Sequence, residues 1–280
     1  MAGVRIVTDS SSDLSATLAA ALGIEIVSLS VRFGPEEYVD RTELTVEDFY
    51  RKMAVSPHLP ETAAPSPGAF DVAFRRCLDA GASAVVCVNL SSKLSATMQS
   101  AQTAAKAFED QLEIHIVDSE SVTMGLGMMV QMAAESALDG RPAAEIADAV
   151  RDMVARQRVW ATLDTLENLK KGGRVGNAQA LVGTLLSIKP CIALEHGLVE
   201  EAGRARTRKK ALKWLAAKIL DEPKIERLCV LHGQAPDVED FLGMLGSRFR
   251  RDQFSVGVIG PIIGAHAGPR VLGVTYQVPR

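Results

Sequence analysis

The chain has 280 residues, of which 47% are hydrophobic and 23% charged, and its formal net charge is −3. This length predicts two domains, and the weakly acidic balance argues against a broad basic surface for nucleic acid. Four cysteines stand singly, with no Cys-x-x-Cys pair, so the sequence indicates neither a disulfide framework nor a metal site.

The first residues lead directly into a strand pattern and lack the apolar stretch of a signal peptide. Apolar runs such as 178–188 are too short to span a bilayer. Unpaired thiols suit a reducing compartment. Together these features predict a cytoplasmic protein.

The first half of the chain alternates short apolar runs with helical patterns. Strands are predicted at 4–8, 24–31, 84–89 and 114–117. Helices are predicted after the first and third of these strands, and again at 122–138 and 143–158. Strands that alternate with helices of this length indicate βαβ units around a parallel sheet.

The pattern changes near residue 159. A strand leads into a helix that ends at 170–173, and a helical stretch at 178–186 precedes a Lys189-Pro190 break. Further strands are predicted at 191–194, 227–231, 255–259 and 271–277, with a turn at 196–197 and a basic helix at 207–220. Because hairpins and helices both join these strands, we expect a mixed sheet. The predicted domains are 1–157 and 158–280.

Two polar loops come early in the chain. The residues 9–13, Asp-Ser-Ser-Ser-Asp, follow the first strand and are best interpreted as helix N-caps. In the second loop, 62–68, Ser66 is placed to cap a helix that begins at Pro67. Thr62 lies too early to cap that helix, so its hydroxyl is available for another role.

Two later loops carry further candidates. Ser95 precedes a helix, and its hydroxyl can cap that helix or, with the first-turn amides, hold an anion. His266 lies within a segment, 260–269, that we interpret as a glycine-rich turn; it is either structural or an accessible functional imidazole. Four methionines on one segment (Met124, Met128, Met129 and Met132) favour ordinary core over the lining of an apolar cavity.

Taken together, these loops resemble the DegV family along essentially the whole chain. The matching segments are 6–14, 62–70, 90–97, 117–119, 124–127, 170–175 and 263–266 with Gly268 and Pro269. The resemblance implies a two-domain α/β fold, in which a three-layer α/β/α domain with a parallel sheet precedes a two-layer domain with a mixed sheet.

The resemblance also implies a function, that of the fatty-acid-binding subunit of a bacterial fatty acid kinase. Such a subunit is not itself an enzyme and needs no cofactor: it buries a long-chain fatty acid, and a separate ATP-binding subunit phosphorylates the carboxylate for phospholipid synthesis. Thr62, Ser95, Ala96 and His266 would then hold the carboxylate, and Arg174 would dock the kinase. The expected partners are the fatty acid and this kinase, with transient contact to a membrane surface or an acyltransferase.

This chain departs from the family pattern at three positions: Ala63 replaces a frequent Ser, Ala96 a frequent Gly, and Arg270 a common Gly. Two other functions stay open from the residues. One is a phosphate- or nucleotide-binding regulator built on the first domain. The other is a serine hydrolase that uses Ser95 and His266, although the chain has no Gly-x-Ser-x-Gly elbow.

Overall fold

The computed structural model describes residues 3–181 and 188–280. The chain forms two compact units. Unit 1 contains Met1–Val31, Glu37–Leu44 and Thr62–Ala155, and unit 2 contains Arg32–Glu36, Thr45–Glu61 and Arg156–Arg280. The boundary between residues 157 and 158 stays a prediction, and a single cut there does not describe the two early segments that group with unit 2.

The first seven strands form two sheets. They are β1 (Val4–Asp9), β2 (Ile24–Val27), β3 (Ser30–Phe33), β4 (Glu36–Val39), β5 (Glu61–Ala63), β6 (Ala84–Asn89) and β7 (Glu113–Asp118). Four of them make a parallel sheet of order β2-β1-β6-β7, as the alternation of strands and helices predicted. The other three make a small sheet of order β4-β3-β5.

Helices cover both faces of the parallel sheet. The first six helices of the chain are α1 (Ala16–Ala21), α2 (Val46–Val55), α3 (Pro67–Asp79), α4 (Thr97–Ala105), α5 (Thr123–Leu138) and α6 (Ala143–Arg156), of which α2 belongs to unit 2. Val86 and its neighbours at alternate positions pack on α5 and α6, whereas Val85 and Cys87 pack on α3 and α4. Because successive strand residues point to opposite faces, both faces are apolar and the unit has three layers. Of the four methionines of α5, Met129 belongs to the first of these clusters, Met124 and Met132 pack against it, and Met128 is buried.

One predicted strand is wrong in its extent. The apolar run 24–31 is not continuous, because the chain leaves the parallel sheet after Val27 and enters the small sheet at Ser30. The backbone of Leu29, between the two strands, is held by distant partners. Its N–H donates to Ser10 Oγ at 3.1 Å, and its carbonyl accepts from the Asp40 N–H at 2.9 Å.

Unit 2 is built on a six-stranded mixed sheet of order β10-β9-β8-β13-β11-β12. Its strands are β8 (Gln157–Thr162), β9 (Lys189–Glu195), β10 (Leu198–Ala205), β11 (Arg227–His232), β12 (Ser255–Val258) and β13 (Leu272–Gln277). Among the described residues of this sheet, β11 and β12 pair in parallel, and the other four neighbouring pairs are antiparallel. The sheet is therefore mixed, as the sequence predicted.

The later helices are α7 (Glu167–Lys171), α8 (Arg208–Leu220), α9 (Val238–Leu245) and α10 (Pro261–Ala267). Apolar residues of α8 and α9 bury one face of the sheet through Leu215, Phe241 and strand residues such as Val230. Thr207 caps α8 by accepting a hydrogen bond from the Lys210 N–H at 3.3 Å. This side of unit 2 is one layer of helices on one sheet.

The segment 260–269 is a helix rather than a glycine-rich turn. Pro261 occupies the first helical position, where its fixed φ angle is favourable, and Gly268 ends the helix at φ +80°. Gly264 fits closely against Phe49 and Tyr50 of α2, since a Cβ built on it would lie 2.8 Å from an atom of each. This packing explains why a segment with glycines at 260, 264 and 268 is helical.

The predicted helical stretch at 178–186 lies partly outside the described residues. The described part is a short 3-10 helix, Gly176–Leu181. Within the two described ranges, no helix is both long enough and apolar enough to cross a membrane.

Candidate functional site

At the carboxyl ends of the parallel strands, Asp9 holds two loops of unit 1 together. Its Oδ1 accepts from the Ser11 N–H (3.1 Å) and the Ser11 hydroxyl (2.5 Å). Its Oδ2 accepts from Asn89 Nδ2 (3.1 Å) and from the Leu90 N–H (2.9 Å). Burial raises the pKa of Asp9, and these hydrogen bonds oppose the rise. With both oxygens engaged, Asp9 is a structural cap, as predicted, rather than a group that reacts.

A second carboxylate, Asp40, lies close to this cluster. Its side chain is almost fully buried, and its Oδ1 makes no hydrogen bond. Burial raises the pKa of Asp40 to about 6; a hydrogen bond from Ser10 and the charge of Arg41 lower it, and the charge of Asp9 raises it. The carboxylate form of Asp40 is therefore costly in the folded protein.

Ser95 lies at the start of α4, half-buried. Its Oγ accepts a hydrogen bond from the Thr97 N–H at 3.3 Å and lies 2.8 Å from Thr97 Oγ1. If the Thr97 hydroxyl donates to Ser95, the Ser95 proton is available to a ligand oxygen. Capping and ligand binding are thus compatible at this residue.

Ala96 is the N-cap residue of α4, and its own methyl side chain makes no capping hydrogen bond. Its φ is −76°, an ordinary value for an L-residue, so alanine in place of the family's frequent glycine causes no backbone strain. The first-turn N–H groups of a helix point outward and favour an anion. Ala96 can therefore contribute through its backbone alone.

Thr62 is half-buried on β5, in the same unit as Ser95. Ser66, four residues later, caps α3 by accepting from the Ala69 N–H at 3.3 Å, with Pro67 at the first helical position. The predicted cap is thus confirmed, and Thr62 lies outside it.

The other two predicted site residues, His266 and Arg174, belong to unit 2. His266 is near the C-terminal end of α10, and burial lowers its pKa to about 4, with a further contribution from the charge of Arg174. The imidazole is therefore neutral near pH 7, with one nitrogen that donates and one that accepts. A neutral imidazole can bind an oxygen anion without forming a permanent ion pair.

The turn after α7 connects Arg174 with His266 through Gly172, and Asn168 links α7 to α10 separately. Arg174 Nη1 donates to the Gly172 carbonyl at 2.6 Å, and a Cβ built on Gly172 would lie 2.4 Å from His266 Nδ1. Asn168 Nδ2 donates to the Ala265 carbonyl at 3.0 Å. Sequence reasoning singled out Arg174 and His266 as candidates and did not single out Asn168 or Gly172. The only available signal was the pair of adjacent glycines after α7.

Arg270, the third departure from the family pattern, adopts a left-handed conformation with φ 61°. Its Nη1 lies 3.4 Å from Asp164 Oδ2, and Lys189 Nζ lies 3.1 Å from Asp164 Oδ1. Nearby, Arg208 makes a two-pronged ion pair with Asp237 at 2.8 and 3.0 Å. The Arg270 charge is thus partly compensated by Asp164.

The fold and these residues define a class: a two-unit α/β protein with hydroxyls near helix starts in unit 1 and a neutral imidazole beside an arginine in unit 2. Among the described residues, no group of three or more His, Cys, Asp or Glu side chains could hold a metal ion. All four cysteines are buried thiols outside any disulfide.

Comparison with known proteins identifies the family. The model of the DegV family of uncharacterised proteins matches residues 3–278. A DegV domain-containing protein of Listeria innocua is 34% identical over 279 residues, which cover 98% of each chain. The chain therefore belongs to the DegV family.

Solved structures of the family have the same fold. A DegV family protein from Thermus thermophilus, described for its fatty acid binding, is 34% identical, with a TM-score of 0.88 and coverage of 99% of this chain and 100% of that one. DegV from Bacillus subtilis, a fatty acid binding protein, is 26% identical, with a TM-score of 0.87 and full coverage of both chains. The two-domain α/β fold implied by the sequence resemblance is thereby confirmed.

Proposed function

We propose that the protein binds one long-chain fatty acid and presents its carboxylate to a partner ATP-binding kinase subunit, which forms the acyl phosphate. The observation that carries most weight is the match to the Thermus thermophilus protein along almost the whole of both chains. In this proposal the protein is a carrier without catalytic groups or a cofactor, and it acts in the cytoplasm, where its free cysteines stay reduced.

The carboxylate ligands in this proposal are the hydroxyls of Thr62 and Ser95, the backbone at Ala96 and the imidazole of His266. A buried carboxylate without partners would be very costly or would take up a proton. Hydroxyls and amides satisfy it through hydrogen bonds, and the low pKa of His266 keeps the imidazole uncharged. The oxygen that the kinase must phosphorylate is then not tied up in an ion pair with His266.

Burial of the acyl chain supplies the affinity. About fourteen methylenes at about 0.8 kcal/mol each give a gross gain on the order of 11 kcal/mol. The loss of freedom of the ligand and of the side chains around it takes back a large part of this gain. The remainder is large enough for a fatty acid to stay bound through purification.

Arg174 is the proposed docking residue for the kinase. It is half-buried, so part of the residue is accessible to solvent. A guanidinium forms strong two-pronged bonds with a carboxylate or phosphate. Contacts with a membrane surface or an acyltransferase would belong to the later delivery of the acyl phosphate.

The first test identifies the ligand. We expect mass spectrometry of the denatured, purified protein to detect a long-chain fatty acid at close to one per chain, and the Thr62→Ala, Ser95→Ala double variant to lose most of it. Ser66→Ala is a matched control, because this hydroxyl of the same loop caps α3; it should keep its lipid. Absence of any fatty acid, or full occupancy in the double variant, would refute the proposal.

The second test concerns the kinase. Arg174→Ala should keep its fatty acid but slow acyl-phosphate formation with a purified kinase subunit and ATP. If Arg174→Ala lost lipid as completely as the double variant does, Arg174 would belong to the binding site instead.

The two alternative functions have less support. Ser95 Oγ is hydrogen-bonded to Thr97 rather than to a histidine, and an imidazole with a pKa of about 4 is a weak base for activating a serine. The turn Ser10–Ser12 is buried beside Asp9, which disfavours a phosphate there. A fluorophosphonate label on Ser95 would favour a hydrolase, and calorimetric binding of ATP to the isolated protein would favour a regulator.

A further inference from the structure

Two adjacent glycines follow α7, and the structure requires them for different reasons. Gly172 has φ −73°, which any residue adopts, but a Cβ on it would lie 2.4 Å from His266 Nδ1 and 2.8 Å from His266 Cε1. Gly173 has φ +71° and open space around a built Cβ. Gly172 is therefore needed for close approach to the imidazole, and Gly173 for its backbone conformation.

The close approach is part of a short chain of contacts within unit 2. Arg174 Nη1 bonds the carbonyl of Gly172, and Gly172 lies directly against His266. A second link, from Asn168 to the Ala265 carbonyl, fixes α7 to α10 one turn away. Gly172 thus lies between the guanidinium and the imidazole: it accepts a hydrogen bond from Arg174 and packs against His266.

We propose that Gly172 is a positioning residue that couples Arg174 to His266. Because Gly172 has no side chain, the backbone of the turn packs directly against the imidazole. A partner's acidic group that binds Arg174 then changes the hydrogen bond between His266 and the ligand carboxylate. This inference rests on the proposed function and adds regulation to it: the carboxylate is released toward the kinase only when the kinase is docked.

The physical basis is competition for the guanidinium. A carboxylate or phosphate accepts a stronger hydrogen bond from arginine than a peptide carbonyl does, because both partners are charged. Docking that draws the Nη1 donor onto the partner's acidic group therefore weakens the bond from Arg174 to the Gly172 carbonyl and frees the turn to move. A displacement of Gly172 reaches the imidazole directly, since no side chain lies between them to absorb it.

The contact itself is tested by a double-mutant cycle on thermal stability. Gly172→Ala should lower Tm by roughly 5 °C, since an added methyl group must displace a packed ring. In the His266→Ala background the same substitution should cost much less, because the ring is gone and only the 3.1 Å approach to the Asn168 carbonyl oxygen remains. Gly173→Ala, the matched control, should lower Tm to a similar extent in both backgrounds. Equal losses for Gly172→Ala with and without His266 would overturn the proposal.

The coupling is tested by NMR of the His266 ring, assigned by comparison with His266→Gln. The ring signals should shift in Gly172→Ala and stay in place in Gly173→Ala. Addition of the nucleotide-free kinase subunit should shift them in the wild type and leave them unchanged in Arg174→Ala. Unchanged wild-type signals with the kinase bound would refute the coupling.

The outcomes also separate this inference from the proposed function. The double-mutant cycle needs no ligand, so it reports on Gly172 even if no fatty acid is found. If a fatty acid is bound but the cycle is additive, the carrier function stands and the positioning role fails.

Discussion

Removal of the Asp40 charge should change how the stability of the protein depends on pH. Asp40 is almost fully buried, and its pKa is raised from 3.8 to about 6, chiefly by burial. Asp40→Asn keeps the shape of the side chain and removes the ionisation. We therefore expect the variant to lose the pH dependence that this one group causes.

The size of the effect follows from the pKa shift. A rise from 3.8 to about 6 corresponds to about 3 kcal/mol, at about 1.4 kcal/mol per unit. Between these two values the folded protein holds a proton that the unfolded chain has released, so the free energy of unfolding falls as pH rises. The stabilisation is complete at pH values below the pKa of Asp40 in the unfolded chain, and it is lost at pH values above the pKa in the folded protein. When the pH is raised from about 4.5 to about 7.5, the ionisation of Asp40 should lower the free energy of unfolding of the wild type by about 2 kcal/mol.

The measurement is urea unfolding followed by circular dichroism at several pH values in this range. The informative quantity is the stability difference between Asp40→Asn and the wild type. The cost of burying the amide of the variant does not change with pH, so it does not affect the pH dependence of this difference. The difference should move in favour of the variant by about 2 kcal/mol as pH rises. Asp110→Asn, a change at an exposed turn residue, is the control and should show no such trend. Parallel curves for Asp40→Asn and the wild type would refute the reasoning.

Three further predictions concern other parts of the molecule. Arg174→Gln should raise the pKa of His266 from about 4 part of the way toward 6.5, because it removes the charge that contributes to the low pKa but leaves the ring buried. An NMR titration of the ring that shows no change in this pKa would contradict the prediction. Ser66→Ala should destabilise the protein by about 1 kcal/mol through loss of the α3 cap, as measured by urea unfolding, and an unchanged midpoint would count against the cap. The four buried cysteines should resist a thiol reagent near pH 8 until denaturant is added, since burial raises the pKa of Cys77 and of Cys191 to about 11; rapid labelling of the native protein would show that one of them is reactive.

Much of the fold could be predicted from the sequence because its strands carry a local signal. The β6 strand was predicted with its observed bounds of 84–89, since six consecutive buried residues form an apolar run between polar turns. Two errors have a common cause. The run 24–31 is interrupted where distant Ser10 and Asp40 bond the backbone of Leu29, and α10 is helical partly because Gly264 packs against α2. Such long-range contacts leave no periodic pattern in the local sequence.

The candidate site was predictable to a smaller extent. The residue types alone left Ser95 and His266 open between structural and functional roles, and the family resemblance supplied the remaining assignment. The structure adds the close contact between Gly172 and His266. Glycine after a helix is a common C-terminal signal, so from the sequence Gly172 indicates the end of α7 and not a contact with His266.

The division of the chain into units also affects how the protein can be made. Between residues 31 and 156 the chain changes from one unit to the other five times. A fragment that starts at residue 158 would lack α2, and with it the Phe49 and Tyr50 rings that contact Gly264 and the Tyr50 hydroxyl that bonds the Ile259 carbonyl at 3.0 Å. During synthesis, α2 leaves the ribosome long before α10 does. Phe49 and Tyr50 therefore cannot pack against Gly264 until the C-terminal part of the chain has been made. Unit 2 is therefore completed by segments from the N-terminal part of the chain, and no uninterrupted stretch of sequence contains all of one unit without segments of the other.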